Sequence, residues 1–544
     1  MKELLKKITL PKVVSTFFSI LFIIAVVNTI FFNKTTTIDF SPTIMLVGVI
    51  VVYIVMFLVR KIGLRFCNVW DKLIQGVIKN KKLLALFVFL VQIFIISMAY
   101  RNCGFDCGYV VIHARKLLIG ETTDGIFDLS YFSNYTNNLT LLYLFKYMYQ
   151  FIGLFFEITE ENIFLITAIF NVIMIDVAMI ALIKICKKLF SKNVTALVIL
   201  FSVPLIMFNP YMIVAYSDTI SMCMPVLIFY LYLKIKENNK TQYLYAFLEG
   251  LLLFWGYYIK PTVLIIGVAI IVTEIFFSKF SDIRNIFSKK FIFKHMARLV
   301  AFSLSIVISF GALSSFKKNE LEKLIPDWIF ELNSVPPTHF LMMGLNQQEQ
   351  PGKGKNTTVY GSYYVPDVFG TLGIKGKENK KHYNLSVVKK RLEDYKVSGY
   401  IDFLYKKFTW IISDGTFFYG QEGGFYNFDF INKSRGARKV QKYFDINSNF
   451  YQNYEANAFQ IIWVVLLVGI VFSLGKYDKN ITTMKITILG IIMFILLFEG
   501  RSRYLYSYIP FFIMIGVTGI SELVTFKKKK KLLDYKDKVT SNNC

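Results

Sequence analysis

Residues 83–109 read LLALFVFLVQIFIISMAYRNCGFDCGY: an unbroken apolar run from Leu83 to Ala99, a short polar step, then a carboxylate at Asp106. A helix needs about 20 consecutive apolar residues to cross a bilayer, and this run approaches that length without a charge. It predicts a membrane span. An acid just beyond such a span is inexpensive only at the membrane surface or in a wet cavity. Asp106 therefore has two readings, an interfacial loop acid bonded to Arg101 or to backbone, and a site residue.

Outward from this stretch the same pattern recurs. Of the 544 residues, 55% are hydrophobic and 17% aromatic, more apolar surface than a soluble core can hide. Only helices and closed barrels satisfy their backbone in lipid, and these continuous runs lack the alternation of barrel strands. The expected fold class is an all-α polytopic integral membrane protein. Further spans are predicted near 13–32, 42–59, 163–183, 194–208, 217–233, 242–258, 262–277, 299–315, 458–474, 482–498 and 504–525, making twelve with 83–99. A thirteenth apolar segment, 139–156, would place the two basic ends of the chain on opposite faces if it spanned. It is expected to lie along the outer surface or dip into it.

The net charge of +26 is distributed between apolar runs rather than gathered into a nucleic-acid-binding patch. Lys2, Lys6 and Lys7 precede the first run, Arg60, Lys61, Arg65, Lys72, Lys79, Lys81 and Lys82 follow the second, and Lys527–Lys531 follow the last. By the positive-inside rule these segments are cytoplasmic, as in a multi-pass protein of a bacterial plasma membrane with both termini inside. The first run is too long for a cleaved signal and lacks a small-residue cleavage site, so it is expected to stay as a span. Six scattered cysteines give no metal-binding spacing, and Cys103 and Cys107 are expected to be free thiols.

The chain then divides into an N-terminal membrane module over 1–315, whose external loop 100–138 carries Asp106; an extracytoplasmic segment over 316–457, expected to form short helices and irregular loops; C-terminal spans over 458–526; and a basic cytoplasmic tail over 527–544. This topology brings five loops to one face: 101–138, 209–218, 260–262, 316–457 and 499–503.

Three features carry a family resemblance: Asp106 in the first large external loop, Tyr216-Ser217-Asp218 and Lys260-Pro261-Thr262 at span ends, and Glu499-Gly500-Arg501-Ser502-Arg503-Tyr504-Leu505 ahead of a final span containing Pro510. Together they resemble the GT-C class of membrane glycosyltransferases, the superfamily of protein O-mannosyltransferases and aminoarabinose transferases. Tyr135-Thr136-Asn137-Asn138, Pro337-Thr338-His339 with Met343-Gly344-Leu345, and Asp414-Gly415-Thr416 resemble an uncharacterised Gram-positive branch. The likeness runs from about Met1 to Phe526. The chain departs from many members in placing two spans before the span that leads to the Asp loop, and in setting its external segment between late spans.

The resemblance implies transfer of a sugar from a polyprenyl-phosphate donor to an extracytoplasmic envelope acceptor, a glycan, glycolipid or protein, with inversion. Asp106 is then the general base, a role typically worth about 10²- to 10⁴-fold. Lys260, Arg501 and Arg503 stand where cations grip phosphate or simply snorkel to headgroups. Pro261 restricts the backbone of Lys260 and so where it points. Asp218 contacts substrate or caps its span. Tyr109 and His113 share a helix face with Asp106, His339 is a candidate acceptor contact, and Asp414 fits a turn. Asp176 and Glu249 fall mid-span and are expected to pair with buried polar neighbours. The four histidines suggest no metal site, and no cofactor is expected; a divalent cation has no support in the sequence. Membrane lipid is a partner and nucleic acid is not. Two other functions fit the composition: a flippase or transporter of lipid-linked glycans, with charges lining a path through the spans, and a glycan polymerase or ligase using a lipid-diphosphate donor.

Overall fold

The computed structural model describes residues 9–32, 38, 40–65, 80–121, 129–237, 240–277, 289–351, 356–419 and 429–523. The N-terminal lysines, Lys72, Lys79 and the basic tail lie outside the described residues. The chain is mostly helical. Among the described residues nine helices are long and apolar enough to cross a membrane: Leu10–Phe31, Pro42–Val59, Lys82–Ala99, Ile163–Leu189, Ser217–Ile235, Met296–Leu324, Tyr451–Val471, Lys479–Leu497 and Ser502–Leu523. Each overlaps an expected apolar run. The runs at 194–208 and 262–277 form the shorter apolar helices Lys192–Met207 and Pro261–Phe276. The run at 242–258 forms the helix Gln242–Ile259, whose apolar character is diluted by Gln242, Glu249 and four tyrosines.

The spans differ in what surrounds them. Pro42–Val59 is only 11% buried and Ser502–Leu523 is 89% buried, so the first is peripheral and the last forms the centre of the bundle. Small residues let helices meet closely there. A β-carbon on Gly519 would overlap the Gly469 carbonyl, which brings the last span against Ala456–Val471. Trp463 is fully buried at this contact, 5.3 Å from the ring of Phe512.

One end of the bundle is held by basic residues. Lys188 and Lys234 pair with Glu237, Lys236 and Lys479 with Glu274, and Lys476 with Glu522. Lys485 reaches Ser15 Oγ at 2.9 Å and the Ser473 carbonyl at 2.8 Å.

At the other end the five expected loops interlock. Arg101 bridges to Phe430, Tyr211 Oη donates to the Phe417 carbonyl, and Val335 N–H to the Asn134 carbonyl. Glu499 N–H donates to Phe340, Gly500 N–H to Gly361, and Tyr508 Oη to the Thr262 carbonyl.

The segment 139–156 contains a 14-residue helix, Leu139–Ile152, too short to span. Phe151, Leu154, Phe155 and Phe156 at its end are all exposed.

The segment expected to be short helices and irregular loops contains both, with Asp327–Asn333, Pro337–Met343, Val365–Leu372 and Arg435–Gln441 as its short helices, and has longer regular elements besides. The helix from Met296 runs through Lys317, Lys318 and Glu320 to Leu324, with Glu320 paired to Lys146, and Tyr451–Glu455 already belongs to the next span. Between them lie Lys377–Ile412, two helices run together across non-helical Lys396, and a two-stranded antiparallel hairpin, Gln347–Pro351 with Asn356–Tyr360. The hairpin corrects the all-α expectation locally: its strands are short and polar, and a sequence reading built on apolar runs passes over them. Arg391 holds both oxygens of Asp367, at 2.7 and 2.8 Å, and so ties the long helix to Val365–Leu372.

Candidate functional site

Asp106 lies in the first turn of the helix Phe105–Leu118, where the helix dipole favours a negative charge. Two local features place it. Phe105 has a φ of 48°, left-handed backbone that a bulky residue adopts only under constraint. A β-carbon on Gly108 would overlap the Cys103 carbonyl, so only glycine lets the chain fold back this tightly. Cys103 and Cys107 are buried and unbridged on either side.

The Asp106 carboxylate is half-buried and held by hydroxyls. Tyr131 Oη donates to Oδ1 at 2.5 Å and Tyr216 Oη to Oδ2 at 3.1 Å. Asn138 closes the ring: its Nδ2 donates to Tyr131 Oη at 2.7 Å, and its Oδ1 lies 3.4 Å from Tyr216 Oη. Burial, then the Asp106 charge, pushes both phenols well above their usual range, so they stay protonated and act as donors. Arg101 is engaged elsewhere, with Tyr419 Oη at 3.2 Å and the Phe444 carbonyl at 3.1 Å. The reading of Asp106 as an acid bonded to Arg101 is thereby set aside.

Tyr216 connects this ring to the cations. The Arg503 guanidinium lies 5.5 Å from the Tyr216 ring centroid and its Nε is 3.1 Å from Asp218 Oδ2, while Lys260 Nζ binds Asp218 Oδ1. The Arg503 contact is an ion pair without hydrogen-bond alignment. Asp218 does not cap its span. Tyr216 occupies the cap position, with its backbone N–H bonded to Thr219 Oγ1, and Asp218 is the second residue of the first turn, 1% exposed between two cations. Lys260 is the extended residue between Gln242–Ile259 and the turn Pro261–Val263, and its ammonium also lies 4.7 Å from the Tyr504 ring centroid.

Tyr504 leads to the remaining pair. Its hydroxyl is 3.4 Å from Glu499 Oε1, and Arg501 Nε stands 3.9 Å from the same oxygen and 3.2 Å from Ser362 Oγ. Half-exposed Tyr363 lies in the field of Asp106, Glu499 and Arg501; burial and the two carboxylates raise its phenol pKa while Arg501 opposes the rise.

One connected cluster thus contains Asp106, Asp218, Lys260, Arg501 and Arg503 from the sequence reading. Tyr109 is beside it, its ring stacked on Tyr131 at 4.6 Å and on His113 at 5.4 Å. His339 is elsewhere. It is fully buried against Thr371 Oγ1 at 2.8 Å, which in turn donates to Asn384, and burial lowers its pKa to about 4. A neutral, enclosed imidazole cannot greet an acceptor, so His339 is a packing residue of the external segment. Asp414 makes its turn, accepting from Thr416 and Phe418 N–H, and also fastens that turn to the last span through Ser502 Oγ at 2.8 Å. Asp176 accepts from Gln92 Nε2 at 3.4 Å, the polar pairing expected mid-span.

Tyr131, Asn138, Tyr216, Ser362, Glu499 and Tyr504 are members that sequence reasoning did not assign. Asn138, Tyr216, Glu499 and Tyr504 lay within motifs already singled out; Tyr131 and Ser362 had no distinguishing signal. No group of three or more His, Cys, Asp or Glu residues suited to a metal occurs among the described residues. An open apolar groove of about 330 Å³, lined by Tyr53, Phe57, Val468 and Leu523, shares no residue with the cluster.

No curated protein and no solved structure matches the chain. A family model does match, over residues 5–523. That match covers nearly the whole sequence, and the chain belongs to the family described as conserved hypothetical integral membrane proteins.

Proposed function

We propose that the chain is a GT-C-like glycosyltransferase with twelve spans and both termini cytoplasmic, moving a sugar from a polyprenyl-phosphate donor to an extracytoplasmic acceptor of a bacterial envelope. One observation carries this reading: an acid and three cations from three separate loops, joined through Tyr216 and Asp218 of a fourth, form one contact network at the end of the bundle opposite the lysine-rich end. By the charge rule the lysine-rich end is cytoplasmic and the cluster faces outward.

The chemistry follows from the arrangement. An acceptor hydroxyl attacks the anomeric carbon; its proton passes to Asp106, and the bond from that carbon to the phosphate oxygen breaks with its electron pair going to the phosphate. Each Asp106 oxygen keeps acceptor capacity beyond its tyrosine bond, so the carboxylate is fixed in place yet available. Negative charge leaves the carboxylate and appears on the leaving phosphate. Lys260, Arg501 and Arg503 stand at that second position, which is electrostatic stabilisation of developing charge. Among the described residues the cluster's three acids, Asp106, Asp218 and Glu499, formally balance its three cations, and an incoming phosphate draws Lys260 and Arg503 from Asp218.

The test is transfer of label from polyprenyl-monophosphate sugars by purified, reconstituted protein, with a lipid-diphosphate oligosaccharide as the competing donor. Asp106→Asn, inserted normally, is expected to lose activity by about 10²-fold or more. Undiminished transfer by that variant would remove Asp106 as base, and transfer from the diphosphate donor alone would assign the polymerase or ligase reaction.

A further inference from the structure

We propose that the second half of the helix Lys377–Ile412 is an interfacial helix whose Val397–Ile401–Tyr405 edge seats in the lipid leaflet at the cluster end of the bundle. The helix is broken in direction at Lys396, whose φ of 53° is not helical, so residues 397–412 take their own course.

That course lies across the ends of the spans. Tyr405 Oη accepts from Asn28 Nδ2 at 2.9 Å, and Ser413 Oγ, just past the helix, accepts from Thr29 Oγ1 at 3.1 Å. Tyr405 and Ser413 are about 12 Å apart at 1.5 Å per residue, whereas Asn28 and Thr29 are neighbours separated by about 1.5 Å along their own axis. Two helices running side by side would not make both contacts; a helix crossing the span does. Two other spans also meet it. Lys407 Nζ binds the Leu496 and Phe498 carbonyls at the end of Lys479–Leu497, at 3.1 and 2.7 Å. Its last residues reach the middle of Tyr451–Val471, where Gln460 and Trp463 donate to the Ser413 and Ile412 carbonyls, both at 2.7 Å.

The buried side of this crossing helix is accounted for by those contacts, through Phe403, Lys407, Phe408 and Ile411. Its other side carries Val397, 79% exposed, Ile401, 62%, and Tyr405, 46%, at intervals of four. A parallel ridge is polar, Ser398, Asp402 and Lys406, with Asp402 and Lys406 paired at 2.6 Å. An apolar ridge beside a charged one is the pattern of a helix lying in the headgroup boundary. The occupant is lipid because the ridge meets the first span beside Val27 and Phe31, the exposed residues flanking Asn28 on a helix that is itself membrane-spanning. This inference does not depend on the transferase reading.

A nitroxide on Val397→Cys, Ile401→Cys, Ser398→Cys or Lys389→Cys in the full chain, reconstituted in phosphatidylcholine–phosphatidylglycerol vesicles, tests it, with label on the parent protein subtracted. Val397 and Ile401 are expected to collide with oxygen over a water-soluble nickel chelate at a ratio about twofold or more above that of Ser398 and Lys389, as burial in the acyl boundary requires. Equal, water-like ratios at all four positions would overturn the proposal. Shielding of Val397 and Ile401 from both agents would also overturn it, assigning the ridge to a protein partner or a second copy.

Discussion

At the scale of the residue, the arrangement turns on how a carboxylate is held. Asp106 is steadied by two phenols and an amide rather than by a cation, so its orientation is fixed without an ion pair among the described residues. Tyr131→Phe removes one hydrogen bond to a charged group, worth about 1.5–3 kcal/mol. In the proposed transferase kcat is expected to fall by about ten- to a hundredfold with the donor KM unchanged, because Tyr131 touches the base and none of the cations; steady-state kinetics on the reconstituted protein check this. Asp106, Lys260, Arg501 and Arg503 were singled out by their place at span ends together with the family resemblance, since a charge at a span end alone reads equally as a headgroup contact. Tyr131 was not, being one of 33 tyrosines with no periodicity or spacing to mark it.

At the scale of the element, the turn before Asp106 is the critical piece. Gly108→Ala pushes a methyl into the Cys103 carbonyl and must open the turn that aims the carboxylate. The expected outcome is a protein that inserts and keeps its helical circular dichroism but loses at least as much transfer as Asp106→Asn, since small displacements of a catalytic group are costly. The apolar helices were readable from length and hydropathy alone. The helix Lys377–Ile412 was not: it is charged over most of its length, and its stability comes from tertiary pairs such as Arg391 with Asp367 that no local pattern announces. The hairpin escaped for a related reason, its polar strands being held by their pairing with each other.

At the scale of the whole molecule, one buried imidazole ties stability to pH. His339, at the cluster end, has a folded pKa of about 4 against an ordinary 6.5 because burial disfavours its charge. Between those values the unfolded chain binds a proton that the folded chain refuses, so stability is present above pH 6.5 and is lost as pH falls toward 4. Thermal unfolding of the external segment is expected to show a midpoint that drops through this window, and His339→Gln is expected to flatten that drop. An unchanged slope would mean that the imidazole charges without opening its surroundings.

The ion trio of Lys260, Asp218 and Arg503 has a consequence for biosynthesis. Asp218 and Lys260 emerge from the ribosome early, but Arg503 arrives only with the final membrane segment, at the entry of Ser502–Leu523. Until then the chain carries an enclosed carboxylate balanced by one cation instead of two, and its central hydrophobic helix is missing. The trio therefore closes only when Ser502–Leu523 is in place, and a chain cut before Arg503 leaves Asp218 with Lys260 alone of the two.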